Sequence, residues 1–337
     1  MYNLYSCFAV FALFSVNIII CKGLIVDVVE EIINVPKTVE LYNSIPGLPW
    51  TAGRNGLPDN ITLLQIKIKL GWIPEQKEIS AGPALAQPSD ASTNEKDDLP
   101  KNYDCRKAYP QCTTIPSIKE QSNCGSCWAV SVAAAFSDRL CIHSNGQKNY
   151  NMSADQLLAC DKKSDGCGGG YLKAAWQYIQ NNGLITGGDY GSNEGCRPYS
   201  IPPNQRNSPS DARTPRCGTN KCSDKFKARS SSTSKIESNE YAMRKEIFKN
   251  GPITTGFRVC KSFTFYKSGM YKCTSTDVYV GGHAVRVIGW GEENGIKYWL
   301  AINSWGTEWG EKGTFKFIRG TDHCGFESMA IAGLPEN

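Results

Sequence analysis

The chain has 337 residues, 40% hydrophobic and 20% charged, a globular balance that excludes wholesale disorder and a multispan membrane protein. Its net charge of +5, with 37 Lys and Arg against 32 Asp and Glu and no Lys/Arg-rich run, gives no sign of a nucleic-acid partner. Fifteen cysteines point to an oxidising compartment, and the odd count leaves one thiol over if the rest pair.

From Cys7 to Cys21 the chain reads CFAVFALFSVNIIIC, an apolar run too short to span a bilayer and broken by Asn17. It reads as the core of a secretory signal over residues 1–23, against the alternative of a buried N-terminal helix. Met1 to Ser6 carries no Lys or Arg, a departure from the usual signal. Residues 24–98 hold no cysteine. Within them Ile61, Leu64 and Ile68 recur at helical spacing with Asn60 as the expected cap. The run AGPALAQPSDASTNEKDD then has the composition of an exposed linker. A small helical module on a loose linker reads as a propeptide, the plainer alternative being an N-terminal arm.

Beyond Pro100, Val132, Phe136 and Leu140 recur every four residues, which predicts a helix over Cys127–His143. A second helix is expected over Tyr171–Asn181, and RSSSTSK reads as a loop. From Gly251 onwards GHAVRVIGW, IKYWLAINSW and GTFKFIRG alternate with turns and predict strands. Helices first and strands later suggest an α+β protein of two unlike halves, with a cleft between them as the natural ligand site.

Cys124-Gly125-Ser126-Cys127-Trp128 is the centre of the chemistry. Cys127 stands where the helix begins, and there unpaired N–H groups and the helix dipole favour a thiolate. Taken alone, this block leaves three readings open: a nucleophile, a C-x-x-C redox pair, or two cysteines bridged elsewhere. A thiol nucleophile needs a base and a group that orients the base. Of three histidines, His143, His283 and His323, His283 opens a strand behind two glycines that leave room for a substrate. Asn303 lies on the next strand, beyond an Asn294-Gly295 hairpin turn. A regular hairpin there places His283 opposite residue 306, so a contact with Asn303 needs a bulge or an offset.

With these residues in place, the chain resembles the papain family, and within it the cathepsin B-like cysteine protease precursors. QSNCGSCWAV, CGGGY, GCRPYSIPP, NGP, YKSGMY, GGHAVRVIGWG, NSWGTEWG and DHCG occur in the family's order, from about Trp50 to Pro335. The resemblance implies a papain-like two-lobed α+β fold, a helical lobe over about 99–222 and a β-barrel-like lobe over about 223–337, preceded by a propeptide over 24–98. It implies catalysis by Cys127, His283 and Asn303 as an ion-paired triad, with Gln121 in the oxyanion hole. It implies a substrate cleft at Gly169, Gly170, Tyr171, Gly256, Gly282, Met329 and Trp305, the indole of Trp305 also shielding the His–Asn contact. The family's disulfides fall on Cys112–Cys141, Cys124–Cys167, Cys160–Cys217 and Cys196–Cys222, and this removes the redox-pair reading. Cys260 and Cys273 flank a hairpin and could bridge, whereas Cys105 and Cys324 match no template.

The partners implied are protein and peptide substrates, the chain's own propeptide as inhibitor, and cystatin-type inhibitors. No cofactor, metal, nucleic acid or stable membrane anchor is expected, and the compartment is secreted or lysosomal, oxidising and acidic. Sequons at Asn60 and Asn151 agree with export.

Two departures bear on specificity. The family's occluding loop carries two adjacent histidines, but the matching segment, PPNQRNSPSDARTPRC, has none and lacks the two cysteines that pin that loop. An endopeptidase with little peptidyl-dipeptidase activity is therefore expected, the alternatives being a carboxydipeptidase of ordinary cathepsin B type or a proteolytically silent homologue with a binding or defence role, and Arg206 and Arg213 are read as solvated charge. The floor of the S2 pocket falls on Met329, which favours apolar P2 side chains.

Overall fold

The computed structural model describes residues 31–75, 98–203, 213–218, 222 and 224–336 in full, and the backbone alone of 8–11, 17–21 and 24–28. Most of the stretch read as a secretory signal, the linker before Asp98, and Arg206 lie outside the described residues. Strands β1 (Phe8–Phe11), β2 (Asn17–Cys21) and β3 (Leu24–Val28) form a small antiparallel sheet.

The N-terminal segment continues as β4 (Ile32–Asn34), α1 (Val35–Asn43), β5 (Trp50–Ala52), β6 (Asn60–Thr62) and α2 (Leu63–Lys67). Asn34 caps α1 by accepting from the Lys37 N–H, and proline in the first turn loses no helical hydrogen bond. The expected cap of the second helix is corrected, because Asn60 lies in β6, paired with Asn34. Thr62 takes the role instead. Its hydroxyl accepts from Gln65 N–H while the Gln65 carboxamide accepts from Thr62 N–H, a reciprocal pair that needs a three-residue spacing. Ile61 and Ile66 are therefore the buried residues, and Leu64 faces solvent.

Helices α3 (Cys105–Ala108), α4 (Cys127–His143), α5 (Ala154–Cys160) and α6 (Leu172–Asn182) follow. Every residue of α4 from Cys127 to Cys141 is buried, as a helix apolar on all sides requires. Around it Trp128, Phe136, Leu157 and Trp176 form one core. Helix α6 stops at Gly183, whose φ of +72° a glycine adopts at little cost.

The second core lies on a mixed sheet. Its strands are β7 (Tyr103–Asp104), β8 (Ser234–Lys235), β9 (Ile253–Cys260), β10 (Tyr266–Tyr271), β11 (Tyr279–Glu293), β12 (Ile296–Ile302), β13 (Thr314–Ile318) and β14 (Ile331–Ala332), with α7 (Glu240–Asn250) packed against β11. The order is β5-β10-β13-β12-β11-β9-β14-β8, with β7 also on β11. The barrel-like lobe expected from the resemblance is corrected to an open sheet. Its edges, β5 and β8, have only three and two residues, too few backbone partners to close a ring. Asn294 and Gly295, at φ +51° and +77°, make the tight turn between β11 and β12.

The two lobes exchange ends. Tyr103 and Asp104 pair with β11, and Cys105, Cys112 and Ile115 join the core of the sheet, while Ile331 near the C-terminus packs with the helical core. The N-terminal segment is bound in the same way. Strand β5 extends the sheet on β10, and the Trp50 indole, 3% exposed, donates to the Lys272 carbonyl.

Candidate active site

Cys127 is the first residue of α4, on the seam between the two cores. It is a free thiol, as are Cys105 and Cys324 among the described residues. Cys124 is bonded to Cys167, so no bond joins it to Cys127. The structure also bonds Cys112 to Cys141, Cys160 to Cys217, Cys196 to Cys222 and Cys260 to Cys273. Ser126 before the helix makes no side-chain cap. Its hydroxyl meets the Tyr199 hydroxyl at 2.7 Å, and Tyr199 in turn donates to the Gln121 carbonyl at 2.9 Å. The end of the helix is thus held from the side; the N–H groups of Ala129 and Val130 go to the Ser126 carbonyl, and that of Trp128 faces the sulfur.

His283 lies on β11, and the N–H of the next residue, Ala284, points at Cys127 Sγ from 3.4 Å. His283 Nε2 is 2.7 Å from Asn303 Oδ1. Part of the offset that this contact needs comes from a bulge and the rest from the end of the ladder. Partner sums across the β11–β12 hairpin shift by one between Gly289 and Val287, a bulge, and β12 ends at Ile302, so Asn303 is free to turn back toward the ring. Trp305 lies over the imidazole, ring centroids 4.7 Å apart, and Phe257 and Phe263 close its other sides. His283 Nδ1, Asn303 Nδ2 and Trp305 Nε1 are buried without a hydrogen-bond partner among the described residues.

Gln121 completes the group. Its Oε1 accepts from Ser304 Oγ at 2.6 Å, which fixes the amide so that Nε2 points to the sulfur side, where it donates to the Cys124 carbonyl at 2.7 Å and the Lys69 carbonyl at 2.9 Å. Lys69 belongs to the N-terminal segment, and the chain after it runs through the cleft. Gly170 N–H donates to Gly71 O at 2.8 Å, Ile73 N–H to Gly170 O at 3.0 Å, and Trp72 N–H to Gly282 O at 3.1 Å. The pairing of Trp72 with Gly170 is parallel. A Cβ on Gly256 would collide with the Trp72 indole, and one on Gly282 with the Trp72 carbonyl, so these glycines are open because the segment lies on them. Gly169, at φ +123°, lies under the Gly71 carbonyl. Beside Trp72 is a cavity of about 190 Å³ lined by Leu172, Lys173, Lys235, Met329 and Ile331. Tyr171 stands next to it as the residue preceding α6. On the other side of the sulfur a cavity of about 370 Å³ lies between Trp305, Trp309 and Glu120 of the body and Asn55, Gln65 and Ile66 of the segment.

Covered in this way, both members of the dyad are held toward their neutral forms. Burial pushes the Cys127 thiol up to about 11, only partly offset by the N–H groups of Ala284, Gly71, Trp128 and Trp72. Burial likewise pulls His283 down to about 4, against the Asn303 hydrogen bond, with the Lys69 ammonium adding to the fall. While the segment excludes water, burial thus works against the charged forms of both groups and so against the ion pair implied by the family resemblance.

Sequence reasoning missed Ser304, the Ala284 N–H and the covering residues Lys69, Gly71 and Trp72. The only signal for the last three is a Gly-Trp pair at the end of an apolar run. Of the two sequons, Asn60 is exposed. Asn151 accepts from Lys119 Nζ at 3.1 Å, and its Ser153 is buried as the cap of α5.

Residues 99–334 match the model of the papain family cysteine protease, and the chain belongs to that family. Within the family its likeness is to enzymes of the cathepsin B type. It is 37% identical to cathepsin B-like cysteine proteinase 4 of Caenorhabditis elegans, over 90% of this chain and 94% of that one. Cathepsin B-like cysteine proteinase 6 of the same organism is 40% identical over 71% of this chain and 67% of its own. Among solved structures, procathepsin B S9 of Trypanosoma congolense superposes with a TM-score of 0.73 at 32% identity, covering 89% of this chain and 98% of that one. The likeness thus extends over the N-terminal segment as well as the peptidase body.

Proposed function

We propose that this chain is the inactive precursor of a cysteine endopeptidase, that residues 24–98 are its inhibitory propeptide, and that residues 99–337 are the mature enzyme. The observation that carries the reading is the Lys69 carbonyl on the Gln121 amide, beside the buried Cys127 and the His283–Asn303 pair. A peptide carbonyl takes the Gln121 amide N–H that a scissile carbonyl would need, while the parallel bridge of Trp72 to Gly170 holds the backbone there.

Once the segment leaves, water reaches both groups and the proton passes from sulfur to imidazole. The Cys127 thiolate attacks the substrate carbonyl carbon, and the oxyanion accepts from Gln121 Nε2 and the Cys127 N–H. His283 gives its proton to the departing amine as the C–N bond breaks, leaving a thioester on Cys127. It then takes a proton from water, which attacks the thioester. Asn303 fixes the imidazole plane, and Trp305 keeps water from their hydrogen bond.

Met329 supports an apolar preference at P2, and a loop segment without histidine supports little peptidyl-dipeptidase action. The disulfide-rich body supports a secreted or lysosomal location, with N-glycans on Asn60 and Asn151, peptide substrates, and cystatin-type inhibitors as further partners.

The decisive experiment is titration of the trimmed enzyme with an irreversible thiol-directed epoxide. One equivalent taken up with complete loss of hydrolysis is expected, and neither in Cys127→Ala. Uptake without loss of hydrolysis removes Cys127 from the mechanism. Peptides with Leu or Arg at P2, each as free acid and as amide, test specificity. Leu is expected to exceed Arg with no gain for the free acid, and the reverse order on either axis overturns that part of the reading.

A further inference from the structure

Away from the cleft, three sulfurs lie together. Cys260, the last residue of β9, is bonded to Cys273, two residues beyond β10. Cys324 is a buried free thiol in the turn His323–Gly325, and its Sγ stands 3.2 Å from that of Cys273. All three sulfurs fall within 4.8 Å of one another.

The turn that carries Cys324 is held from several directions. Its backbone is left-handed at φ +58°, a region disfavoured for a residue with a Cβ. Asp322 before it accepts from the N–H groups of Glu327 and Ser328, and Glu327 accepts from those of Gly320 and Asp322 and from the Trp299 indole. The neighbouring imidazole of His323 accepts from the Cys273 N–H at 2.9 Å, which ties the two backbones together beside the sulfurs. A thiol so placed has a disulfide sulfur as its immediate neighbour.

We propose that Cys260, Cys273 and Cys324 form a thiol–disulfide exchange site, in which Cys324 displaces Cys260 from Cys273 and gives the β lobe two disulfide isomers. In the exchange Cys324 gives up its proton and its sulfur bonds to Cys273 Sγ. The Cys260–Cys273 bond breaks, and Cys260 leaves as a thiolate that takes up a proton. One disulfide is made for one broken, so neither oxidant nor reductant is consumed. Burial pushes the Cys324 thiol up to about 12, which keeps the thiolate scarce and the exchange slow near neutrality.

The two isomers tie different parts of the lobe. The Cys260–Cys273 bond, with a sequence separation of 13, closes the loop that holds β10 and the turn carrying Phe263. Phe263 packs on Trp305 at 5.6 Å and on His283 at 6.4 Å. The Cys273–Cys324 bond, with a separation of 51, would free that loop and tie the end of β10 to the turn before Met329. Lys272, next to Cys273, is where the Trp50 indole docks, so the exchange acts on the surface that holds the N-terminal segment.

The test is disulfide mapping of the full-length chain. The protein is incubated at pH 8.5, alkylated without reduction, digested and analysed by mass spectrometry. The unaltered chain is expected to yield both a Cys260–Cys273 and a Cys273–Cys324 peptide, and Cys324→Ser only the first. Cys260→Ser, folded in the presence of oxidised glutathione to take the two electrons, is expected to yield Cys273–Cys324, with neither cysteine alkylated. An unaltered chain with Cys260–Cys273 alone and Cys324 alkylated throughout overturns the proposal, as does a folded Cys260→Ser variant with Cys273 and Cys324 both alkylated. Should Cys260→Ser fail to fold, the unaltered chain decides.

Discussion

Gln121, proposed as the oxyanion donor, is held in place by its hydrogen bonds. Its carbonyl oxygen is committed to Ser304 and its nitrogen carries two acceptors, so the amide cannot flip without losing three hydrogen bonds. Removing one oxyanion donor of this kind costs about 10²–10³ in rate. Gln121→Ala in the trimmed enzyme is therefore expected to lower kcat by that factor with KM little changed. A steady-state measurement showing an equal loss in both parameters would point to substrate binding instead. The same reasoning separates the residues readable in isolation from those that were not. The residues proposed for the chemistry, Cys127, His283, Asn303 and Gln121, have polar or ionisable side chains and sit in recognisable blocks. Ser304 and the Ala284 N–H act only through position, and nothing in their identity marks them.

At the scale of elements, the segment around Lys69 to Ile73 sets the state of the dyad. With Cys127 pushed up to about 11 and His283 down to about 4, thiol and imidazole are both neutral between those values. Alkylation of Cys127 in the full-length chain should therefore be slow at pH 6 and rise only toward the alkaline side. In the trimmed enzyme it should already be fast at pH 6. Rates of iodoacetamide uptake against pH decide this, and equal rates at pH 6 in the two forms would remove the covering role. The internal proton transfer leaves the proton count of the pair unchanged, so acid does not release the segment through this dyad. Helix α4 was legible from its period because an apolar four-residue repeat and a buried helix are one physical fact. The short α2 was not, because its start depends on the hydroxyl–carboxamide exchange of Thr62 and Gln65 rather than on hydrophobic spacing.

Across the whole molecule, the seam between the lobes is pinned by buried charge. Asp138 of α4 accepts from Arg286 of β11 at 2.6 Å, with the two side chains 0% and 2% exposed, and Arg286 also donates to the carbonyls of Thr114, Ile115 and Ser117. Asp138 shares its helix with Cys127, and Arg286 lies three residues beyond His283 on its strand. Arg139, beside it, reaches Glu246 and the carbonyls of Gly251 and Pro252. Removing one partner of a buried pair costs about 3–5 kcal/mol. Asp138→Ala is expected to lower Tm by several degrees and to reduce kcat as the two elements lose their register. An unchanged Tm would show that packing alone holds the seam.

By itself the sequence determined the family, through the blocks that hold the residues proposed for catalysis, and where the longest helix and the central hairpin lie. These follow from side-chain type, periodicity and local turn geometry, all of which are short-range. Only the tertiary structure decided the rest. It ended β12 at Ile302 just after a bulge between Val287 and Gly289 and so let Asn303 reach His283, laid Trp72 on Gly256, left the sheet open, and set Cys324 against an existing disulfide. Each of these depends on contacts between residues far apart in the chain, where no local pattern specifies the outcome and packing selects it.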